Sequence, residues 1–248
     1  MIKLYWRKIY KFFLDILFPI ECVGCGQEDL WLCEQCLATI KLKEIDSCPA
    51  CKKISSFGKT HSWCREQTSL DGMIVAASFD NKLLRNTIHK YKYNFIKELA
   101  TPLSMILINK IMELDKKEDK PNWVNLLFSS DLILLPIPLH KRRLRWRDFN
   151  QAEMLSKKLA GNFYLNHRPY ILKRKRYTTA QTELKREQRF DNIKNAFQVT
   201  KEWQDKLKNA KILLVDDVAT TGATLNECGR TLKERGAREV WGLVLARG

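Results

Sequence analysis

A chain of 248 residues, 45% of them apolar, is long enough for one large domain and a small one around a substantial hydrophobic core. It carries 44 lysines and arginines against 28 aspartates and glutamates, which gives a net charge of +16. This excess favours anionic partners such as phosphorylated metabolites, nucleic acid or acidic lipid surfaces. A charge that serves only solubility is the alternative.

Residues 1–18 predict a helix that ends at Pro19. Five charged residues interrupt its apolar positions: Lys3, Arg7, Lys8, Lys11 and Asp15. They exclude a clean transmembrane span, and no small-residue cleavage site follows that would indicate a signal peptide. We expect the helix to pack on the protein or on a partner. The alternative is a basic amphipathic helix that lies on the inner face of a membrane.

Residues 19–68 hold four pairs of metal-binding residues, each pair separated by two residues: Cys22 and Cys25, Cys33 and Cys36, Cys48 and Cys51, and His61 and Cys64. This spacing indicates metal binding and argues against disulfides. Zinc takes four such ligands tetrahedrally. The simplest prediction is a double zinc ribbon in which the first two pairs bind one ion and the last two bind another. An interleaved pairing, a module with only one filled site and a module that has lost its metal are the alternatives.

The zinc is predicted to be structural, because a segment this short has little core and metal binding must stabilise its fold. Zinc ribbons also bind nucleic acid or proteins, which leaves a recognition role open. Thiolate ligands need a reducing compartment, so we expect a cytoplasmic protein. The remaining cysteine, Cys228, stands alone on a predicted helix and is expected to be buried.

Apolar runs return from Ser69, and a second domain is predicted over 69–248. Its first predicted elements are a strand from Gly72 to Phe79, a helix from Leu83 to His89, a helical segment over 97–114, a strand from Asp131 to Leu135 and a helix from Gln151 to Leu159. His89 and His140 have no identifiable catalytic partner in the sequence, so surface or packing roles are expected.

Five basic residues fall within 141–147, after one predicted strand and before the next predicted helix. Ligands of parallel α/β sheets bind at the carboxyl ends of strands. This segment is therefore predicted to be a loop that holds a pyrophosphate or a nucleic-acid backbone. The candidate contacts are Lys141, Arg142, Arg143, Arg147, Asn150 and Gln151. A solvated run of charge is the alternative.

A second basic stretch covers 168–197, and its apolar periodicity is weak over 173–192. This pattern indicates a mobile flap or hood over a site rather than a core element. Four polar residues in it are candidates for pointing into that site: Thr178, Gln181, Arg189 and Asn192.

The most informative stretch is 212–224, with the sequence ILLVDDVATTGAT. Residues 212–215 predict a buried parallel strand, and a helix is predicted from about Thr224 to just before Gly236. Residues 240–245 predict the next strand. The unit is therefore expected to form a right-handed crossover in a parallel sheet.

This stretch offers two complementary kinds of ligand contact. Backbone N–H groups and hydroxyls at a helix start can surround one phosphate. The candidates are Ala219, Thr220, Thr221, Gly222, Ala223 and Thr224. Asp216 and Asp217 would repel that phosphate and suit hydroxyl donors or a hydrated divalent cation. A ribose 5-phosphate satisfies both halves, whereas the alternative is that the carboxylates only cap the following helix.

Residues 212–224 resemble the signature by which type I phosphoribosyltransferases bind phosphoribosyl pyrophosphate (PRPP). The resemblance implies that the acidic pair contacts the ribose hydroxyls, that the loop holds the 5-phosphate and that Mg²⁺ accompanies PRPP. It also implies the α/β fold of that class, a parallel sheet flanked by helices.

The chain from about Phe18 to Arg247 resembles the ComF/GntX family, which joins a double zinc ribbon to a phosphoribosyltransferase-like domain. The likeness rests on the four metal-binding pairs, the 212–224 signature and further positions: Pro136, Pro138, Arg143, Arg147, 149–151, Thr178, Gln181, Leu184, Arg189, Asn192, Ala196 and Phe197. Asp148 stands where the family has Gly, which bears on the conformation and anion affinity of the basic segment. His61 stands where the family has Cys, a change that zinc tolerates.

The resemblance implies a role in natural competence, in the handling of incoming single-stranded DNA with other competence proteins. If PRPP is turned over, the catalytic candidates are Asp216, Asp217 and Arg143. The two aspartates would orient the ribose, and Arg143, with Lys141 and Arg142, would stabilise the departing pyrophosphate. One alternative is a non-catalytic DNA-binding factor whose PRPP site is a sensor or a relic. Another is a partner scaffold that uses the N-terminal helix and the ribbons.

Overall fold

The computed structural model describes residues 19–125, 131–178 and 191–248. Within these ranges the strands are β1 (Gly72–Ser78), β2 (Leu132–Pro136), β3 (Asn166–His167), β4 (Leu172–Arg174), β5 (Phe197–Val199), β6 (Lys211–Ala219) and β7 (Glu239–Arg247). The α-helices there are α1 (Glu34–Ala38), α2 (Lys82–Tyr93), α3 (Ala100–Asp115), α4 (Asn122–Asn125), α5 (Lys141–Arg147), α6 (Gln151–Phe163) and α7 (Ala223–Lys233). The helix predicted over 1–18 lies outside the described residues.

Five strands form one parallel sheet in the order β1–β7–β6–β2–β3. The apolar run 212–215 in β6 is fully buried, as a central strand covered on both faces requires. A separate antiparallel pair joins β4 to β5. The predicted α/β architecture, a parallel sheet flanked by helices, is confirmed.

The sheet has a hydrophobic core on each face, because successive residues of a strand point to opposite sides. From β6, Leu213 and Val215 pack in a core with α2, α3 and α6. Ile212 and Leu214 pack in the other core with α7 and the β4–β5 pair. Cys228 of α7 is fully buried there, as predicted. With both faces covered, the ends of the strands are left for a ligand.

The cysteine-rich segment is attached to the edge strand β1 and to α3. An isolated bridge joins Leu42 to Ala77 of β1. On α3, the fully buried Lys110 donates from Nζ to the carbonyl of Lys43. A buried ammonium group needs such a partner, so this bond fixes the segment on α3. Its boundary with the second domain, placed at residue 68, stays a prediction.

Near the strand ends, one predicted element was wrong and another extends further than predicted. The predicted basic loop over 141–147 is the helix α5, which His140 caps by accepting at Nδ1 from the N–H of Arg142 at 3.2 Å. Strand β6 continues beyond 215 to Ala219, so the acidic pair belongs to the strand. Sequence analysis ended the strand at 215 because charged residues are rare in buried strands. In the structure, pairing with the neighbouring strand β7 continues the strand to Ala219.

Across the three described ranges, none of the helices combines the length and the hydropathy that a bilayer span requires.

Candidate functional site

A cavity of about 830 Å³ opens at the carboxyl ends of β2 and β6. Its walls come from α2, α5, β4 and the start of α7. Parallel α/β sheets bind ligands at this edge, where strand ends and helix starts converge. The predicted acidic pair, Asp216 and Asp217, lines the cavity together with the loop residues Thr220 and Thr224.

The two adjacent carboxylates have different partners. Asp217 is 6% exposed, and its Oδ1 lies 2.8 Å from Nζ of Lys92 on the last turn of α2. Asp216 accepts at Oδ1 from the N–H of Asp217 at 2.9 Å. Burial, and then the charge of Asp217, raises the pKa of Asp216 to about 7. The pair therefore carries less than its full negative charge at neutral pH.

The loop after β6 turns into α7 through a left-handed residue. Gly222 has a φ of +80°, which a residue with a Cβ adopts only at a cost. Thr221 accepts at Oγ1 from the N–H of Ala223, the first residue of α7, at 3.3 Å. Thr220 and Thr224 line the cavity. Two hydroxyl-bearing side chains and the positive end of the α7 dipole therefore meet at one end of the cavity.

The described cavity wall is strongly basic. Six basic side chains contribute to it: Arg85, Lys92, Arg142, Arg143, Arg147 and Arg174. Burial lowers the pKa of Arg147, while the charge of Asp217 opposes that change. Such a wall attracts a polyanion. Lys141, predicted to act with Arg142 and Arg143, is exposed and does not line the cavity.

Asn150 and Gln151, predicted as ligand contacts, line the cavity and also hold its backbone in place. Asn150 donates from Nδ2 to the carbonyl of Ile137 at 3.0 Å and accepts at Oδ1 from the N–H of Ala152 at 3.2 Å. Gln151 accepts at Oε1 from Nη1 of Arg147 at 3.2 Å. These bonds tie the end of β2 to α6 and orient Arg147. Their role as ligand contacts stays a prediction.

Asp148 keeps the turn that a glycine would make at the end of α5. Its φ is +63°, in the left-handed region that Gly adopts freely and Asp tolerates. Its Oδ2 lies 2.6 Å from Nζ of Lys97, and this hydrogen bond lowers the pKa of Asp148. The carboxylate is thus directed at a lysine.

The predicted hood lies only partly within the described residues, and Gln181 and Arg189 are outside them. Thr178, at its start, is buried. Its Oγ1 accepts from Nη2 of Arg174, and its carbonyl accepts from Nη2 of Arg143 at 3.2 Å. The start of the hood is thus joined to the basic wall.

Arg176, near the start of the hood, contacts the backbone at its far end. It donates from Nη2 to the carbonyls of Asn192 and Lys194 at 2.9 and 2.8 Å. Asn192 therefore contributes its backbone to this contact. A ligand role for its side chain stays a prediction.

Sequence analysis missed several residues of the wall, namely Lys92, Arg174, Tyr93 and Tyr177. His89, expected on the surface or in packing, also lies in the wall, with its ring centroid 4.7 Å from that of Tyr93. The one available signal was the alternation of Lys and Tyr over 90–93 at the end of a predicted helix. That pattern does not show that the end of this helix faces the end of β6, which is remote in the sequence.

The two predicted sets of metal ligands come together in space. Within each set the ligand atoms lie within 4.8 Å of one another: Cys22, Cys25, Cys33 and Cys36 in the first, and Cys48, Cys51, His61 and Cys64 in the second. The interleaved pairing is therefore not adopted. Each set can hold one metal ion.

The geometry of both sets suits a tetrahedral ion. Sγ of Cys25 lies 3.7 Å from Sγ of Cys33, near the separation of about 3.8 Å expected for two thiolates on one zinc. His61 places Nδ1 at 3.4 Å from Sγ of Cys51 and Nε2 at 3.2 Å from the carbonyl of Ile54. Metal-bound histidines commonly donate their second N–H to such a carbonyl, which fixes the ring.

We expect the purified protein to contain about two zinc ions per chain, measured by elemental analysis. Cys48→Ser should lower the content to about one, because the second set then has three ligands. Cys228→Ser is the control and should retain both ions, since Cys228 lies in the core, away from both sets. An unchanged zinc content in Cys48→Ser would contradict the assignment.

The raised pKa of Asp216 predicts a pH-dependent stability. The folded protein holds this proton up to about pH 7, whereas the unfolded chain releases it near the ordinary value of 3.8. The free energy of unfolding should therefore fall as pH rises from 3.8 towards 7, as burial of the ionised carboxylate becomes necessary. Asp216→Asn lacks this contribution. Urea unfolding should show the variant gaining stability relative to wild type across that range, and a constant difference would refute the assignment.

Comparison with known proteins agrees with this geometry. The family model of the phosphoribosyl transferase domain matches residues 150–248. Competence protein F of Haemophilus influenzae is 26% identical over 236 residues, covering 92% of this chain and 98% of that protein. Competence protein ComFC of Streptococcus pneumoniae is 26% identical over 252 residues, covering 92% and 100%, and ComFC of Bacillus subtilis is 28% identical over 206 residues, covering 83% and 79%. The parallel sheet and the matched domain show the phosphoribosyltransferase fold, and together with the two cysteine-rich sets these matches support the ComF family for this chain.

Proposed function

We propose that the cavity binds PRPP and that the chain serves natural transformation as a cytoplasmic, phosphoribosyltransferase-like competence protein. The observation that carries the proposal is the meeting of an acidic pair, a hydroxyl-bearing helix start and a basic wall in one cavity. PRPP has the three matching groups, which are the ribose hydroxyls, the 5-phosphate and the pyrophosphate.

The acidic pair suits the ribose hydroxyls. Hydroxyls are neutral donors, so they approach Asp216 and Asp217 without the repulsion that a phosphate would meet. Lys92 already lies 2.8 Å from Oδ1 of Asp217, so this carboxylate has a donor in place at the point where a ribose hydroxyl would bind. A bound ribose would then share this acceptor with the lysine or displace it.

The start of α7 suits the 5-phosphate. The helix has eleven residues, so its dipole is well formed, and its first N–H groups have no partners within the helix. Thr220 and Thr224 add hydroxyl donors in the cavity wall. Because this anchor is remote from C1 of the ribose, its binding energy can assist the reacting centre.

The basic wall suits the pyrophosphate and its departure. If the ribosyl phosphate is transferred, the C1–O bond breaks and its electron pair leaves with the pyrophosphate. Arg142 and Arg143 of α5 line the cavity and would stabilise that growing charge, as preorganised cations do. Asp216 and Asp217 would meanwhile hold the ribose. Mg²⁺ bound with PRPP would neutralise further charge.

The competence role is supported by relatives named Competence protein F and ComFC, which match 92% of this chain. Other competence proteins are therefore proposed partners. Zinc is the proposed metal of both cysteine-rich sets, where it would be structural. Attachment of residues 1–18 to the inner face of a membrane remains a hypothesis.

The double variant Asp216→Asn/Asp217→Asn should bind Mg-PRPP at least about tenfold more weakly than wild type, because hydrogen bonds to charged acceptors are lost. Calorimetric titration measures this. Asp205→Asn, an exposed aspartate outside the cavity, is the matched control and should bind as wild type does. Equal affinity in the double variant would refute the assigned ribose contacts.

A second candidate function is single-stranded DNA binding, and it rests on the aromatic rim of the cavity. Trp146 is 58% exposed, and its ring centroid lies 5.2 Å from that of Phe95. The guanidinium of Arg147 lies 5.4 Å from the ring of Tyr93 and 5.7 Å from that of Trp146. Aromatic rings interleaved with arginines stack bases and hold phosphates. In this hypothesis the PRPP site is a sensor or a relic.

Trp146→Ala should weaken binding of a single-stranded oligonucleotide by about 1–3 kcal/mol, the usual contribution of one stacked base. Fluorescence anisotropy at several salt concentrations measures the affinity and its electrostatic part. Tyr170→Ala removes another exposed aromatic, at 77% exposure and outside the cavity wall, and should leave the affinity unchanged. If wild type shows no binding at low salt, this second function is excluded.

A further inference from the structure

Arg174 is a buried cation in the wall of the cavity. It is the last residue of β4, it is only 9% exposed, and its guanidinium lies 5.4 Å from the ring of Phe197. Nη2 donates to Oγ1 of Thr178. Nε is buried, and no atom of the described residues accepts from it. The guanidinium therefore keeps donor capacity that this part of the chain does not use.

The charge of Arg174 lacks an ion-pair partner among the described residues. Burial, and then the charge of Arg143, lowers its pKa to about 10. Asp216 favours the charged form from a distance, but the two do not form an ion pair. Uncompensated buried charge is costly, so such an arginine is expected where an anion binds.

Arg143 adds a second guanidinium at the same point. It donates from Nη2 to the carbonyl of Thr178 at 3.2 Å, so the two arginines are held by one residue at the start of the hood. Beside them, the half-exposed ring of Tyr177 lies 4.9 Å from the guanidinium of Arg142. Two cations and a flat aromatic surface thus adjoin one another in the cavity wall.

We propose that Arg174 and Arg143 form an anion subsite that takes the acidic group of the acceptor, and that the acceptor is a planar ring bearing a carboxylate or a phosphate. This inference rests on the proposed PRPP-binding function and specifies its second substrate. The 5-phosphate and the ribose have their own contacts at the start of α7 and at the end of β6. The pyrophosphate is assigned to Arg142 and Arg143, so Arg174 on Thr178 is the cation left for the acceptor, and Arg143 borders both groups.

The subsite defines how the transfer would proceed. With its acidic group held by the two arginines, the ring would present a nitrogen to C1 of the ribose. The nitrogen lone pair forms the new bond to C1 as the C1–O bond breaks, and the pyrophosphate leaves with that electron pair. The nitrogen releases its proton to solvent.

The test uses matched pairs of ligands that differ only in the acidic group. Orotate is compared with uracil, and thymidine 5′-monophosphate with thymidine, by calorimetry on the full chain. Ribose 5-phosphate and magnesium pyrophosphate are present at saturation, so that the other phosphate sites are filled. In at least one pair, wild type should bind the acidic ligand about tenfold or more tightly than its neutral partner. A preference for orotate indicates an acceptor with a carboxylate, and a preference for thymidine 5′-monophosphate indicates one with a phosphate.

Three variants locate the preference. Arg174→Gln should abolish it, Arg174→Lys should retain a part of it, and Arg235→Gln, which removes an exposed arginine outside the cavity, should leave it intact. Circular dichroism checks that each variant is folded. If Arg174→Gln does not fold, the ligand preferences of wild type and of Arg174→Lys still test whether the subsite exists.

The inference is overturned if wild type shows no preference for the acid in either pair, or if Arg174→Gln keeps the full preference. It is also overturned if Arg174→Gln loses affinity for Mg-PRPP by the same factor, since the subsite would then hold the pyrophosphate of PRPP itself. A wild-type protein that binds neither ribose 5-phosphate nor Mg-PRPP would instead refute the proposed function.

Discussion

Two carboxylates placed side by side at the buried end of a strand are the constraint on which the rest of the site depends. Like charges in such a place repel, and water does not screen them well. The fold offsets this repulsion in two ways: Lys92 lies against Asp217, and the pKa of Asp216 rises towards neutrality. Both carboxylates line the cavity, so a site balanced in this way still offers acceptors to hydroxyls.

The parallel sheet brings the remaining groups to this pair. The carboxyl ends of β2 and β6 are neighbours, so the segments that follow them lie at one edge. The segment after β2 contains the basic helix α5. The segment after β6 is the threonine loop, residues 220–224, which leads into α7. The result is a cavity with more cations than carboxylates in its described wall, which attracts a polyanion.

Sequence reasoning succeeded where the chemistry is carried by consecutive residues. The 212–224 stretch and the metal-binding pairs are local patterns, and their residues come together as expected. It failed where the partner is remote in the chain. In the sequence, Lys92 and Arg174 do not differ from other basic residues. In the fold, Lys92 lies against Asp217, and Arg174 is buried beside Thr178. The prediction of a basic loop over 141–147 was wrong for a local reason, because this run forms a helix that His140 caps.

The end of β7 connects the second cysteine-rich set to the end of the cavity at the start of α7. Arg247 donates from Nη2 to the carbonyl of Pro49 at 2.7 Å, within the Cys48–Cys51 turn. The next residue, Gly248, donates its N–H to the carbonyl of Ala219 at 3.0 Å, where the threonine loop begins. A metal ion that fixes the cysteine turn therefore restrains the strand end that supports this loop. These two hydrogen bonds are the path by which an ion in the second set would affect the cavity, since none of the described metal-ligand candidates lines it.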